Sequence, residues 1–99
     1  MSLKINIIGT GYVGLISGVC LSKKGHDVTC FDYNEKIVNS LNKAIPTIYE
    51  KDLEEELKEV IKRSKFRAIV PNPSISLIDC DVVMIAVGTP TKKNKIDLS

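Results

Sequence analysis

Apolar residues recur along the chain with two alternating periods, one typical of strands and one typical of helices. Short runs rich in β-branched residues predict strands, which cover residues 4–9, 27–32, 66–70 and 81–88. Apolar residues spaced three and four apart predict helices, which cover residues 12–24, 34–43 and 51–64. A strand, a helix and a second strand within about 30 residues form a βαβ unit, and such units build a parallel sheet.

We therefore predict an α/β fold, a Rossmann-type doubly wound parallel sheet whose first four strands lie in the order 3-2-1-4. The fourth strand contains an unbroken apolar run at residues 82–87, which predicts burial on both of its faces. Residues 71–80 contain two prolines and are predicted to form a turn with a short helix. The third helix pairs acids with bases at i and i+4, and these charges are expected to lie on a solvated face.

Composition and charge argue against a nucleic-acid or membrane partner. The chain has 99 residues, of which 43% are hydrophobic and 26% are charged, as in an ordinary globular protein. The net charge is +2 and the lysines alternate with acids, so we expect no nucleic-acid partner. No apolar run approaches the ~20 residues that span a bilayer, and the start of the chain lacks a signal-peptide pattern. We therefore expect no membrane association and a cytoplasmic location.

Candidate metal ligands and nucleophiles are sparse. Cys20, Cys30 and Cys80 lack the paired spacing of a zinc site and are expected to be small buried residues in a reducing compartment. His26, the single histidine, lies in a predicted turn and is expected to be a solvated surface residue. We therefore predict no metal site and no catalytic residue in this chain.

Three of the four glycines within residues 6–18 form the pattern G-x-G-x-x-G, at Gly9, Gly11 and Gly14. The pattern follows a predicted strand and opens a predicted helix, which is the context of a dinucleotide-binding loop. There the first glycine permits a tight turn, the second lets backbone approach a pyrophosphate, and the third lets the helix pack on the strand. Free N–H groups and the helix dipole supply positive charge for the phosphates. Gly18 is expected to continue the close packing.

Asp32 ends the second predicted strand, 18 residues after Gly14. An acid at this place accepts hydrogen bonds from both ribose hydroxyls of the adenosine and repels a 2′-phosphate, so we predict NAD in preference to NADP. Lys36 would soften that repulsion. Gly9, Asp32 and Thr89 all lie at carboxyl ends of predicted strands, where open α/β sheets bind ligands. Their convergence predicts a dinucleotide site.

The stretch "GTGYVGLISGVCLSKKGHDVTCFD" resembles the UDP-glucose dehydrogenases, within the wider UDP-glucose/GDP-mannose dehydrogenase family. The resemblance extends to "IYE" with the Leu-Glu-rich helix after it, to "VGTP" and to "DLS" at the end of the chain. It implies an oxidoreductase that oxidises UDP-glucose to UDP-glucuronate with two NAD in succession. By position it assigns cofactor contacts to Gly9, Gly11, Tyr12, Val13, Gly14, Asp32 and Thr89.

The chain departs from the family pattern at three places. Lys51-Asp52 stands where the family has Pro-Gly, and Lys95-Ile96 stands where it has a glycine before "DLS". Ile37 occupies a position where the family commonly has a basic residue. Lys36 is its neighbour and is therefore a candidate for the adenosine-side contact.

The resemblance covers essentially the whole chain. It implies that residues 1–99 are a partial N-terminal NAD-binding Rossmann domain, with the rest of that domain, a linker helix and a substrate domain outside the chain. The family's catalytic cysteine, lysine and acids would lie outside it too, so we expect these 99 residues alone to be inactive. The full-length enzyme is expected to form a homodimer.

Three alternatives remain open. A sister enzyme acting on GDP-mannose or on a UDP-N-acetylhexosamine would read its substrate elsewhere, although "GYVGLISGVCL" favours UDP-glucose. A non-enzymatic NAD-binding regulatory module also uses a glycine loop and an acid, but is not expected to carry "IYE" and "VGTP". A methyltransferase that binds S-adenosylmethionine likewise opens with a glycine loop, but the dinucleotide spacing and the Thr-Pro after the fourth strand argue against it.

Overall fold

A computed structural model describes residues 2–86 of the chain. These residues form four strands and three helices in the predicted order. The strands are β1 (Lys4–Ile8), β2 (Asp27–Phe31), β3 (Phe66–Ile69) and β4 (Val82–Ile85). The helices are α1 (Tyr12–Lys23), α2 (Glu35–Asn42) and α3 (Leu53–Lys62). Each element lies within its predicted range, so the hydrophobic pattern located all seven.

The four strands form one parallel sheet in the order β3-β2-β1-β4, which confirms the predicted topology. Strand β1 lies inside the sheet, with Ile7 opposite Cys30 of β2 on one side and opposite Met84 of β4 on the other. The chain runs outward from β1 to β3 and then returns to the far side of β1. The carboxyl ends of β1 and β4 therefore flank a topological switch point, where open α/β sheets bind ligands.

The hydrophobic core lies between the helices and one face of the sheet. Alternate strand residues enter it, as the two-residue period of a strand requires, and they are Ile5, Ile7, Val28, Cys30, Phe66 and Ala68. The apolar stripes predicted for α2 and α3 face this core, and their buried members are Val38, Leu41, Leu53, Leu57 and Val60. Among residues 2–86, no helix is both long enough and apolar enough to cross a membrane.

Charged side chains lie on the outer surface of the helices. The predicted i,i+4 pairs of the third helix are present, Glu54 with Lys58 at 3.7 Å and Glu59 with Arg63 at 2.7 Å. A further ion pair, from Lys23 at the end of α1 to a carboxylate of α3, spans 2.7 Å and raises the pKa of Lys23. These pairs are exposed, so each contributes little to stability.

The opposite face of the sheet is covered in part by the segment between β3 and β4, which has no helix. Pro71 and Pro73 lack the N–H groups that a helix needs, and the Asn72 side chain accepts the N–H of Ser74 at 2.9 Å to close a turn. The predicted short helix in residues 71–80 is therefore wrong. The segment is tied to the sheet through the amide of the buried Asn6, which donates to the Leu77 carbonyl at 2.9 Å.

Strand β4 is more exposed than its sequence predicts. Val83 is 39% exposed and Ile85 is 72% exposed, so the prediction of burial on both faces is wrong for the described residues. The physical reason is position, because β4 is an outer strand of the sheet formed by residues 2–86. Of the strand itself, Met84 packs against the core, and Ala86 in the segment after β4 does the same.

The other outer strand, β3, has its open edge bonded to a side chain. Asn42, at the end of α2, donates from Nδ2 to the Ala68 carbonyl at 2.9 Å and accepts the Ala68 N–H at Oδ1, also at 2.9 Å. The amide group thus takes the place of a neighbouring strand for one residue. Unpaired strand edges favour edge-to-edge association, and this contact blocks one such edge.

We expect Asn42→Ala to lower the free energy of unfolding by about 1–2 kcal/mol, because two hydrogen bonds of the Ala68 backbone are lost. Urea titration followed by circular dichroism measures the change. Asn39→Ala, at an exposed position of the same helix, is the matched control and should change stability by less than about 0.5 kcal/mol. Equal effects of the two substitutions would show that the Asn42 contact does not stabilise the edge.

Candidate functional site

The glycine loop begins at the carboxyl end of β1 and is bonded to the end of β2. The N–H of Gly9 donates to the Phe31 carbonyl at 2.8 Å. Gly9 has a φ of 111°, a region that side chains with a Cβ rarely adopt, so this turn requires glycine. The role predicted for Gly9, a tight turn after the first strand, is confirmed.

Gly14 lies where helix α1 packs closely against the backbone of the glycine loop. A Cβ at this position would lie 2.5 Å from the Gly9 carbonyl oxygen and 3.3 Å from Cβ of Ala86 in the segment after β4. One turn later, a Cβ on Gly18 would meet the Phe66 ring at 3.0 Å and the Cys30 sulfur at 3.1 Å. Both glycines therefore act through packing, as predicted, and hold α1 tightly against the sheet.

Gly11 differs from the other two glycines of the motif. It has a φ of −68°, which any residue adopts, and a Cβ added there would meet no atom of residues 2–86 within 4 Å. Neither backbone strain nor packing within the described residues accounts for a glycine at this position. The open space beside Gly11 is what a ligand that approaches the backbone would need.

The start of α1 presents backbone donors. Gly11 is the N-cap residue, its carbonyl accepts the first helical bond from Leu15 at 2.8 Å, and no side chain of residues 2–86 caps the helix. The first turn contains no acid that would occupy its positive end. The Tyr12 and Val13 side chains are exposed although they are apolar. The first turn is therefore open to an anion, which uncapped N–H groups and the helix dipole favour.

Asp32 follows β2 directly and is joined to the glycine loop. Its Oδ2 accepts the hydroxyl of Thr10 at 2.5 Å, and its Oδ1 accepts the N–H of Asn34 at 2.7 Å. Thr10 is the residue between the first two glycines of the motif and is 4% exposed. The structure thus brings the predicted acid and the predicted phosphate loop to one place. Thr10 and Asn34 were not predicted as site residues, although a hydroxyl inside the glycine motif was a signal for Thr10.

The segment after Asp32 turns into α2 through Asn34. The Asn34 side chain accepts the N–H groups of Lys36 and Ile37 at 3.0 and 3.3 Å, so it is the N-cap of α2. The Lys36 side chain is exposed, whereas Ile37 packs partly against the core. Position 37 therefore serves the core in this chain, and Lys36 is the solvent-facing cation beside it.

A cavity of about 200 Å³ lies next to Asp32, on the face of the sheet opposite the helices. Its lining is mainly apolar, and the residues are Ile8, Gly9, Phe31, Asp32, Tyr33, Pro71 and Leu77. Tyr33 is 80% exposed although it lines this cavity. Pockets for whole ligands usually measure about 300–1,000 Å³, so this cavity suits one flat part of a larger molecule. A more open depression of about 360 Å³ at residues 46–55 contains none of the predicted cofactor residues.

The remaining candidates for chemistry have structural surroundings. Burial raises the pKa of the Cys30 thiol to about 12, so it is not a thiolate at neutral pH. Cys80 is half-buried and Cys20 is exposed, so the prediction of burial is wrong for Cys20. His26 is half-buried and its Nδ1 accepts the N–H of Leu3 at 3.1 Å, so the predicted solvated role is wrong as well.

The last two predictions concern a metal site and the contact at Thr89. Residues 2–86 bring no three His, Cys, Asp or Glu side chains together in a group that could hold a metal ion. Thr89, the predicted contact after the fourth strand, lies outside the described residues.

A glycine loop that opens a helix, an acid at the end of the second strand and a parallel sheet of order 3-2-1-4 define a Rossmann-type dinucleotide-binding domain. Residues 3–99 match the UDP-glucose/GDP-mannose dehydrogenase family, NAD binding domain. The chain belongs to this family of NAD-dependent nucleotide-sugar dehydrogenases, and its cofactor is NAD. The family identified from the sequence motifs is confirmed.

Several curated relatives of this chain are named UDP-glucose 6-dehydrogenase. The UDP-glucose 6-dehydrogenase of Rickettsia typhi is 44% identical over 93 residues, which cover 92% of this chain and 21% of the relative. The UDP-glucose 6-dehydrogenase YwqF of Bacillus subtilis is 38% identical over 92 residues, which cover 93% of this chain and 21% of the relative. The chain therefore spans about a fifth of the length of these relatives.

Solved structures with the same fold are named as dehydrogenases of different nucleotide sugars. GDP-mannose dehydrogenase from Pseudomonas aeruginosa superposes with a TM-score of 0.82 at 33% identity, over 91% of this chain and 20% of that one. UDP-glucose dehydrogenase from Pyrobaculum islandicum gives a TM-score of 0.82 at 32% identity, over 91% and 21%. UDP-N-acetyl-mannosamine dehydrogenase from Staphylococcus aureus gives 0.80 at 30% identity, over 92% and 21%.

The different constraints on Gly14 and Gly11 predict different costs of adding a methyl group. Gly14→Ala places Cβ against a backbone oxygen that cannot move without distorting the loop, so we expect a loss of about 1–3 kcal/mol in the free energy of unfolding. Gly11→Ala meets open space, and the weaker preference of alanine for the N-cap position should cost less than about 1 kcal/mol. Thermal and urea unfolding of both variants provide the comparison. A Gly14→Ala protein as stable as Gly11→Ala would contradict the packing role of Gly14.

Proposed function

We propose that this chain forms the adenosine and pyrophosphate part of the NAD site in an enzyme that oxidises UDP-glucose to UDP-glucuronate. The observation that carries the proposal is the hydrogen bond between the glycine loop and the acid after β2, from Thr10 to Asp32. It joins a phosphate-binding helix start and a ribose-binding carboxylate at one end of the sheet. A single ligand that carries both phosphate and ribose matches this arrangement.

The pyrophosphate is assigned to the first turn of α1. The N–H groups of Tyr12 and Val13 lie in that turn, beside the open space at Gly11. The helix start carries roughly half a positive charge, and no acid of the first turn competes for it. In this proposal Gly9 and Gly14 hold the loop and the helix in place, while Gly11 keeps the approach free of a side chain.

The adenosine is assigned to Asp32 and the cavity beside it. The carboxylate accepts the two ribose hydroxyls, as acids at the end of the second strand do in dinucleotide-binding folds. The cavity, with Phe31 and Leu77 in its lining and Tyr33 at 80% exposure, suits the flat apolar base. Lys36 is exposed near the start of α2 and is proposed to contact the adenosine side of the cofactor.

The contribution of this chain is to bind and orient the cofactor. When bound, NAD supplies the chemistry by accepting a hydride from the substrate. The carboxylate and the helix start fix the adenosine end and the phosphates, so the nicotinamide end is directed toward the switch point between β1 and β4. Thr89, which follows β4 in the sequence, is proposed to line that side of the site. No residue of this chain is assigned a catalytic step.

The choice of UDP-glucose as substrate follows from the curated relatives named UDP-glucose 6-dehydrogenase, which are 37–45% identical over this chain. A sister activity is the second candidate, because solved structures of GDP-mannose and UDP-N-acetyl-mannosamine dehydrogenases share the fold at TM-scores of 0.82 and 0.80. The nucleotide sugar is the proposed small-molecule partner in either case.

Absorbance of NADH at 340 nm distinguishes these candidates in the full-length protein. We expect NADH formation with UDP-glucose and NAD, and much slower formation with GDP-mannose or UDP-N-acetylmannosamine. Faster turnover of one of the other two sugars would assign the sister activity. Absence of turnover with all three sugars, in a protein that binds NAD by calorimetry, would contradict the dehydrogenase proposal while leaving the cofactor site intact.

Cofactor choice provides a test of the role of Asp32. We expect the full-length protein to bind NAD more tightly than NADP, and Asp32→Ala to weaken NAD binding by about 10- to 100-fold, because two charge-assisted hydrogen bonds to ribose are lost. NADP binding should change less, since a repulsive charge is removed at the same time. Isothermal titration calorimetry gives both dissociation constants.

Glu55→Ala, which removes an exposed acid of α3, controls for the change in net charge and should leave both constants unaltered. Tighter binding of NADP than of NAD by the unmutated protein would contradict the role assigned to Asp32.

A further inference from the structure

We propose that Thr10 is a positioning residue for Asp32, and that through this contact it determines the preference for NAD over NADP. The inference rests on the proposed function, since it concerns the same cofactor site. The observation behind it is a hydrogen bond between two residues 22 positions apart in the chain, one in the glycine loop and one after β2.

The contact is a direct hydrogen bond between a hydroxyl and a carboxylate. The Thr10 hydroxyl donates to Asp32 Oδ2 at 2.5 Å. Thr10 is 4% exposed, so water competes little for the hydroxyl. The β-branched side chain is stiff at χ1, and the loop around it is held by the tight turn at Gly9. The donor is therefore fixed before any ligand arrives.

The bonds to Asp32 leave the capacity that a ribose needs. An ionised carboxylate has about four acceptor sites on its two oxygens. Thr10 occupies one site on Oδ2, and the N–H of Asn34 occupies one on Oδ1. One site on each oxygen remains, which matches two adjacent ribose hydroxyls. Because both oxygens are held, the carboxylate does not have to reorient when it binds them.

The same fixation sharpens selectivity. A carboxylate held at only one oxygen rotates more freely about its χ1 bond, and this rotation moves its charge away from an approaching 2′-phosphate. Thr10 holds Oδ2 and so restricts that rotation. Removal of the hydroxyl should therefore weaken NAD binding while reducing the penalty for NADP. A residue that merely supports the fold would instead weaken both cofactors alike.

The test uses the full-length protein with Thr10→Val, which keeps the shape of the side chain, and Thr10→Ser, which keeps the hydroxyl. Calorimetric titration with NAD and with NADP gives the ratio of the two dissociation constants. For Thr10→Val we expect NAD binding to weaken by about tenfold and the ratio to contract by a similar factor. Thr10→Ser should remain within about twofold of the unmutated protein. Thr10→Ala provides a second variant without the hydroxyl, should valine disturb folding.

Two controls separate positioning from stability. Thr29→Val removes another buried hydroxyl, on β2, whose oxygen accepts a hydrogen bond from Arg67 Nη1 at 3.0 Å. This substitution should lower the melting temperature without changing the ratio of the two cofactor dissociation constants. In an Asp32→Ala background, adding Thr10→Val should have no further effect on NAD binding, because the group it positions is absent.

The outcomes distinguish this inference from the proposed function. An unmutated protein that fails to bind NAD would overturn both. Normal NAD binding together with an unchanged cofactor ratio in Thr10→Val and Thr10→Ala would overturn only the role of Thr10. Loss of NAD binding in Thr10→Ser to the same degree as in Thr10→Val would also overturn it, because the hydroxyl would then not be the active group.

Discussion

The close approach of helix α1 to the first strand is the constraint on which the rest of the site depends. A Cβ on Gly14 would lie 2.5 Å from the carbonyl oxygen of Gly9, and one on Gly18 would lie 3.0 Å from the Phe66 ring. Because both positions lack a side chain, the helix begins directly above the carboxyl end of β1. Its uncapped first turn then lies beside the end of β2, and the short loop between them places Thr10 against Asp32.

Local patterns were sufficient to predict the fold and to bring the glycine loop and Asp32 to one end of the sheet. The strand order, the seven elements, the tight turn at Gly9 and the packing role of Gly14 each follow from a short stretch with a recognisable pattern or motif. What was missed depends on contacts between distant residues. The pairing of Asn42 with Ala68 joins positions 26 apart, and nothing in either local sequence signals it.

Two errors have a different physical origin. The apolar run at residues 82–87 is a property of composition, whereas burial depends on which elements cover the strand, and within residues 2–86 only the inner face of β4 is covered. In residues 71–80 a short helix was predicted, but the Asn72 side chain forms a turn that competes with it. The spacing of apolar residues does not show whether a side chain will bond to the backbone and form a turn in place of a helix.

The fold of this domain is shared by enzymes that are named for different sugars. Solved structures named for GDP-mannose and for UDP-glucose superpose on the chain equally well, both with a TM-score of 0.82. The domain shape is common to enzymes named for different sugars, and residues 3–99 match the NAD binding domain of the family. The proposed pyrophosphate contacts are backbone N–H groups, those of Tyr12 and Val13, and backbone donors do not depend on side-chain identity. In the proposed site, the distinction between a hydroxyl and a phosphate then depends on one side chain, the carboxylate of Asp32, which Thr10 and Asn34 hold on both oxygens.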